Sequence, residues 1–235
     1  MNPLVSCIMP TADRRRFISH AIKCYSAQDY PNKELIIVDD GDDPVEDIVP
    51  HGENGIHYYR SSPRKRIGYK RNLCCDIARG EIIVHWDDDD WSAPWRVSYQ
   101  VQAIEDGADI CGLADALYYS PSTHKAWKFI ASFPGSEYWV MGCTMAYRKS
   151  VWNSGGFRNL QTTEDDHFIL DARKRGATVR VLPDINMFVA IAHSGNTDPK
   201  DFRWDFYQPV TRPFIYGVMG DLAEVERLEP RAARV

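Results

Sequence analysis

The stretch "GEIIVHWDDDDWSAPW" sets four aspartates, Asp87, Asp88, Asp89 and Asp90, directly behind the apolar run of residues 82–84. Adjacent carboxylates repel one another, so a chain that keeps four of them where a strand ends has a use for the charge. Hard divalent cations take carboxylate oxygens. In an extended segment Asp87 and Asp89 share one face, and Asp88 and Asp90 the other. A D-x-D pair therefore offers two oxygens to one ion, which can in turn hold the diphosphate of a nucleotide. The plainer alternative is a solvated acidic loop in which Asp90 caps the next helix.

Four further features could join that chemistry. "RKRIGYKRN" places Gly68, Lys70, Arg71 and Asn72 at a helix start, where unpaired backbone N–H groups and the helix dipole favour phosphate. Taken alone it is a surface helix with solvated cations. "TTEDDHF" opens a second helix with Glu164, Asp165 and Asp166; such acids either complement the dipole, with Thr162 or Thr163 as cap, or supply a general base. His193 follows the apolar run "NMFVAIA" as an ordinary hydrogen-bonded residue or a metal ligand. Trp139, in "SEYWVMGC", offers a face suited to the C–H surface of a sugar, or packs in the core.

These residues need a scaffold, and the pattern supplies one. "LVSCIM", "KELIIVDD", "GIHYYR" and "EIIVHW" predict strands. "RRRFISHAIKCYSAQ", "GYKRNLCCDIARG" and "PWRVSYQVQAIEDG" predict helices between and after them. "ADICGLADALYYS" opens another strand region. The alternation argues for an α/β domain with a mostly parallel, mixed central sheet flanked by helices. In the second half "HKAWKFIA", "CTMAYRKS", "TVRVLP" and "NMFVAIAH" predict strands and "TEDDHFILDARKRGA" a helix. "PTADRR", "DDGDD" and "DDDD" all fall at the carboxyl ends of strands, where open parallel sheets bind ligands. We expect one domain over residues 1–197, with a nucleotide-binding part to about 115 and an acceptor-binding part over about 116–197. Residues 198–235 form a C-terminal extension, aromatic and proline-rich and then polar and helical.

The chain's 235 residues suffice for one large domain, and 44% hydrophobic with 26% charged residues is an ordinary globular balance. A net charge of -5 argues against a nucleic-acid partner that relies on phosphate neutralisation. The six cysteines form no C-x-x-C pair, which suits reduced thiols and cytoplasmic residence. "MNPLVSCIMP" lacks the features of a signal peptide, and no run approaches the ~18 apolar residues of a membrane span.

In order along the chain stand a strand ending in P-T, then V-D-D-G, a basic R-N helix start, and D-x-D-D. This ordered set resembles the inverting glycosyltransferases of family 2, which have the GT-A (Rossmann-like) fold. The similarity runs on through "AYRKSVWNSGGF" and "TEDDHFILDARKRG", over roughly residues 4–195. The resemblance implies that Pro10, Thr11 and Asp39 line the base pocket, with the Asp39 carboxylate accepting a uracil N–H. It also implies that Gly68, Arg71, Asp87 and Asp88 support the nucleotide, and that Asp89, helped by His193, holds Mn2+ or Mg2+. Trp139 and Gly142 would face the donor or acceptor sugar. Asp165 would be the base, with Asp166 in reserve and Glu164 completing the E-D pair. The chain departs from the family pattern at Asp13, where members commonly have Asn, and at Asp42-Asp43-Pro44, where they have Ser-x-Asp.

The function so implied is metal-dependent, inverting transfer of a sugar from a nucleotide-diphosphate donor, a UDP-sugar, to an acceptor hydroxyl. The acceptor would be a glycan, a lipid-linked sugar met at the membrane periphery, a peptide or a small molecule. One alternative is a sugar-phosphate nucleotidyltransferase, although "PTADRRR" lacks the glycine-rich phosphate loop those enzymes use. The other is a non-catalytic carbohydrate-binding relative.

Overall fold

The computed structural model describes residues 2–228. Strand β1, Val5–Thr11, is buried at every position, and after helix α1, Arg15–Ser26, strand β2, Lys33–Asp39, is buried at all but its first. Continuous apolar runs of this kind mark parallel strands covered on both faces. Alternate side chains serve opposite layers, as a period of two requires. Cys7 and Met9 pack with Ile18, Ala21 and Tyr25 of α1. Ile8 packs with Cys74 and Cys75 of α2, Ile67–Ile77, which follows β3, Ile56–Arg60.

The chain continues through β4, Ile82–His85, β5, Trp91–Ser92, α3, Arg96–Glu105, and β6, Ile110–Gly112. Then come β7, Ala116–Ser120, β8, Lys125–Phe129, β9, Ala146–Arg148, and α4, Lys149–Asn153. The remaining elements are α5, Glu164–Lys174, β10, Val179–Val181, β11, Phe188–Ile191, β12, Tyr207–Val210, α6, Arg212–Met219, and α7, Ala223–Leu228.

Seven strands form the central sheet in the order β10-β6-β9-β4-β1-β2-β3. All pairs are parallel except those of β9 with β4 and β6. This is the mixed, mostly parallel sheet that the sequence predicts. A second sheet, β12-β8-β7-β11-β5, was not foreseen. Chain 86–90 is the passage between the two: β4 ends at His85 in the first sheet, and β5 begins at Trp91 in the second, against β11. The acidic run is therefore a crossover, not merely a strand end.

The C-terminal segment is woven into the body as far as it is described. β12 pairs antiparallel with β8, and Pro209 is tolerated there because β12 lies at the sheet edge. Helix α7 reaches back to α1, where Glu224 accepts from Lys23. Residues 229–235, the end of the expected helical tail, lie outside the described residues. Among the described residues no helix is long and apolar enough to cross a membrane.

Candidate active site

A cleft of about 1150 Å³ opens at the carboxyl ends of β1 and β4. Pro10, Thr11, Arg71, Trp139, Gly142, the four aspartates and the acids Glu164, Asp165 and Asp166 all line it. Most of the residues expected from sequence to act together therefore do share one wall or another of a single cavity.

Each carboxylate of the acidic turn has a different anchor. Asp87 faces Arg71 Nη2 at 3.7 Å. Asp88 accepts the Thr11 hydroxyl at 2.5 Å. Asp90 accepts the Ile191 N–H at 2.9 Å, so it ties the turn to β11 and does not cap α3. Asp89 is met by three side chains: His193 Nε2 at 2.9 Å, Arg14 Nη1 at 3.5 Å and Asn196 Nδ2 at 3.5 Å. Burial pushes Asp87, Asp88 and Asp90 up from the usual carboxylate range, Asp88 to about 7, with repulsion from Asp89 adding to each. A cation would relieve that strain, and a set of hard oxygens suits a divalent one. One oxygen each of Asp87 and Asp90 and the Cys143 thiol also lie within 4.8 Å of one another. Cys143 is a neighbour that the sequence gave no reason to select.

His193 does not line the cleft, and its ring stacks on Phe17 at 4.3 Å. The Gly195 N–H lies 3.1 Å from its Nδ1, and its Nε2 lies 2.9 Å from Asp89 Oδ2 and 3.2 Å from Asn196 Nδ2. As placed, His193 braces the Asp89 carboxylate from outside the cleft lining.

Two expectations change. Asp39 is fully buried and does not line the cleft. Its oxygens accept from the Gly41 N–H at 2.9 Å, the Val45 N–H at 3.0 Å and the Tyr58 hydroxyl at 2.9 Å. It pins its own loop and is not open to a base. Gly68 is likewise no phosphate donor, because its N–H goes to the Leu160 carbonyl at 3.0 Å. A Cβ there would lie 2.0 Å from the Arg158 carbonyl oxygen, so the glycine allows the start of α2 to dock on that chain.

The departures at Asp13 and Asp42-Asp43 belong together. Asp13 Oδ1 accepts the N–H groups of both Asp42, at 2.6 Å, and Asp43, at 3.0 Å, and Asp13 lines the cleft beside Arg64. Those backbone donors hold its carboxyl below the usual range.

Across the cleft, Arg71 is buried and its Nε donates to Glu164 Oε1 at 3.0 Å. Its Nη1 finds no hydrogen-bond partner among the described residues. Asp166 accepts from Trp139 Nε1 at 2.6 Å, and burial raises its pKa. Asp165 is tied differently: Oδ1 accepts the Asp166 N–H at 3.0 Å, while Oδ2 lies against Gly142. Thr163 makes no side-chain cap to α5, so the capping explanation for this segment fails. Of the three acids, Asp165 is the one held by a backbone N–H and not by a side chain, whereas Glu164 takes Arg71 and Asp166 takes Trp139.

Arg14 was missed. The cue was present: α1 opens with cations and no acid in its first turn, against the helix dipole, which a nearby anion would excuse.

Comparison with known proteins agrees with the architecture. Residues 6–163 match Glycosyl transferase family 2. The E-D segment falls just past that match. A putative colanic acid biosynthesis glycosyl transferase, WcaA of Escherichia coli K12, is 37% identical over 101 residues, which is 41% of this chain and 36% of that one. The mannosyltransferase PcManGT from Pyrobaculum calidifontis, in complex with GDP-Man and Mn2+, superposes with a TM-score of 0.66 at 19% identity, over 81% of this chain and 57% of that one. S. aureus TarS 1-349 in complex with UDP-GlcNAc superposes with a TM-score of 0.67 at 20% identity, over 83% of this chain and 60% of that one. The chain thus spans between about a third and three-fifths of the length of these relatives.

Proposed function

The chain belongs to glycosyl transferase family 2, and from that premise we propose that it moves a sugar from a UDP-sugar to an acceptor hydroxyl with inversion. The observation that carries this reading is the single cleft in which the acidic turn and Asp165 both stand. TarS, with its UDP-GlcNAc, and PcManGT, with its Mn2+, lend support to a nucleotide-sugar donor and a divalent cation.

Asp89 would hold the ion, oriented by His193, with Asp87 and Asp90 close by. Such an ion acts as a Lewis acid on the departing diphosphate. The protein's own groups supply the rest. Arg71 is buried between Asp87 and Glu164 with one N–H pair unspent, and stands ready for an oxygen of the donor. Asp165 Oδ2 accepts the proton of the acceptor hydroxyl as its oxygen bonds to the anomeric carbon. The bond to the nucleoside diphosphate breaks on the opposite face, so an α-linked donor gives a β-linked product. Glu164 and Asp166 have their own donors in Arg71 and Trp139, and they position the helix end.

The direct test is calorimetry with UDP-glucose, UDP-GlcNAc, UDP-galactose and GDP-mannose, each with and without manganese. At least one UDP-sugar should bind, and only with the ion. Binding of none of the four would overturn the reading, and binding of GDP-mannose alone would overturn the choice of uridine.

Gly142 gives a finer test. A Cβ there would lie 1.9 Å from Asp165 Oδ2, 2.7 Å from its Cγ and 2.8 Å from its Cβ, so Gly142→Ala should displace the whole Asp165 side chain. We expect turnover to fall by about a hundredfold, as a displacement near 1 Å at a reacting group commonly costs. Donor affinity, measured on the same samples, should stay near that of the parent and reports that the variant is folded. Unchanged turnover would mean that the oxygen lying against Gly142 does not take part.

A further inference from the structure

The segment after β11 borders the cleft through Gly195, Asn196, Thr197 and Lys200, then runs on to two exposed rings. Trp204 is 60% exposed and Phe206 39%. Their planes lie within 5° of parallel, with centroids 6.2 Å apart. They are held from beneath. The Phe206 carbonyl accepts the Ile130 N–H at 2.9 Å, and its ring meets Phe129 at 5.6 Å and Tyr207 at 5.0 Å. Tyr207 in turn contacts Tyr118, a wall of the cleft, at 5.5 Å. A run of packed rings therefore joins the exposed pair to the cavity.

The cations around this pair are spent. Lys200 pairs with Asp198, Arg203 with Asp201 at 2.7 Å, and Arg212 with Glu226 at 2.6 Å. With the three cations of residues 198–212 each on its own carboxylate, an anionic polymer or anionic lipid surface finds little to hold. What the surface does offer is two aligned π faces, whose negative potential attracts the positive C–H edges of a pyranose ring.

We propose that Trp204 and Phe206 form a platform for a neutral acceptor glycan, carried on the segment that borders the cleft. This rests on the glycosyltransferase reading for its word "acceptor", but the binding itself does not.

The experiment is calorimetry on the full chain with cellopentaose, laminaripentaose, chitopentaose and mannopentaose, beside flotation with phosphatidylglycerol vesicles. At least one pentasaccharide should bind the parent. Its affinity should fall about tenfold in Trp204→Ala, the scale of one lost aromatic contact, and recover in Trp204→Phe. UDP affinity with manganese, measured on the same samples, should not move, and this also reports that the variants are folded. No binding of any pentasaccharide, or equal affinity in Trp204→Ala, overturns the proposal. Vesicle flotation that depends on Trp204, without sugar binding, overturns it in favour of a lipid surface. If pentasaccharide binding depends on Trp204 but no nucleotide sugar binds, the platform stands and the transferase reading falls.

Discussion

Asp165→Asn should leave donor affinity intact and lower transfer by about a thousandfold, the middle of the range for a lost general base. The substitution keeps shape and volume, and the amide oxygen can still accept the Asp166 N–H that Oδ1 accepts now. What it removes is the affinity of Oδ2 for a proton. Single-turnover rates with saturating donor would report the chemical step, and calorimetry would report binding. The neighbouring acids are the controls. Asp166→Asn removes a charge of the same kind one residue away, yet Asp166 already serves Trp139, so its effect should be much smaller. Equal losses in both variants would remove Asp165 from its place. A loss of donor affinity in Asp165→Asn would instead put the carboxylate on the nucleotide side.

Asp89→Ala should weaken manganese-dependent donor binding by more than about a hundredfold, because losing a ligand costs more than losing a supporting group. The expectation comes from contrast within the turn. Asp88 and Asp90 are used by Thr11 and by the backbone of Ile191, so their replacement would disturb the fold as well as the site. Asp89 binds three side chains that can turn away. Manganese should raise the melting temperature of the parent, because an ion that binds only the folded state stabilises it. The variant should lose that rise. A rise preserved in Asp89→Ala would move the ion to the neighbouring set of Asp87, Asp90 and Cys143.

Much of the central sheet was legible because its strands are buried on both faces. "LIIV" and "IIV" at their centres leave no polar position to confuse the pattern. The second sheet was not, since its members are short and distant in sequence: β5 has two residues and finds β11 almost a hundred positions later. The tail hid β12 for a related reason, as its Pro209 reads as a strand breaker until the edge position is known.

At the site, residue type and order placed the acids and Asp165 together. Sequence could not tell which oxygens were already taken. Asp39 was expected to line a base pocket, but Tyr58 and Val45 close over it from other parts of the chain. His193 ends a strand in the sequence, but its partners Phe17 and Asp89 come from far along the chain. Such roles depend on partners that no local pattern names.

The passage of the chain from one sheet to the other runs through the four aspartates themselves. Each of the four is moored to a different element, Asp87 to Arg71 of α2, Asp88 to Thr11 of β1, Asp89 to His193 and Asp90 to the Ile191 amide of β11, so the joint between the sheets is also where four separate parts of the chain are tied together.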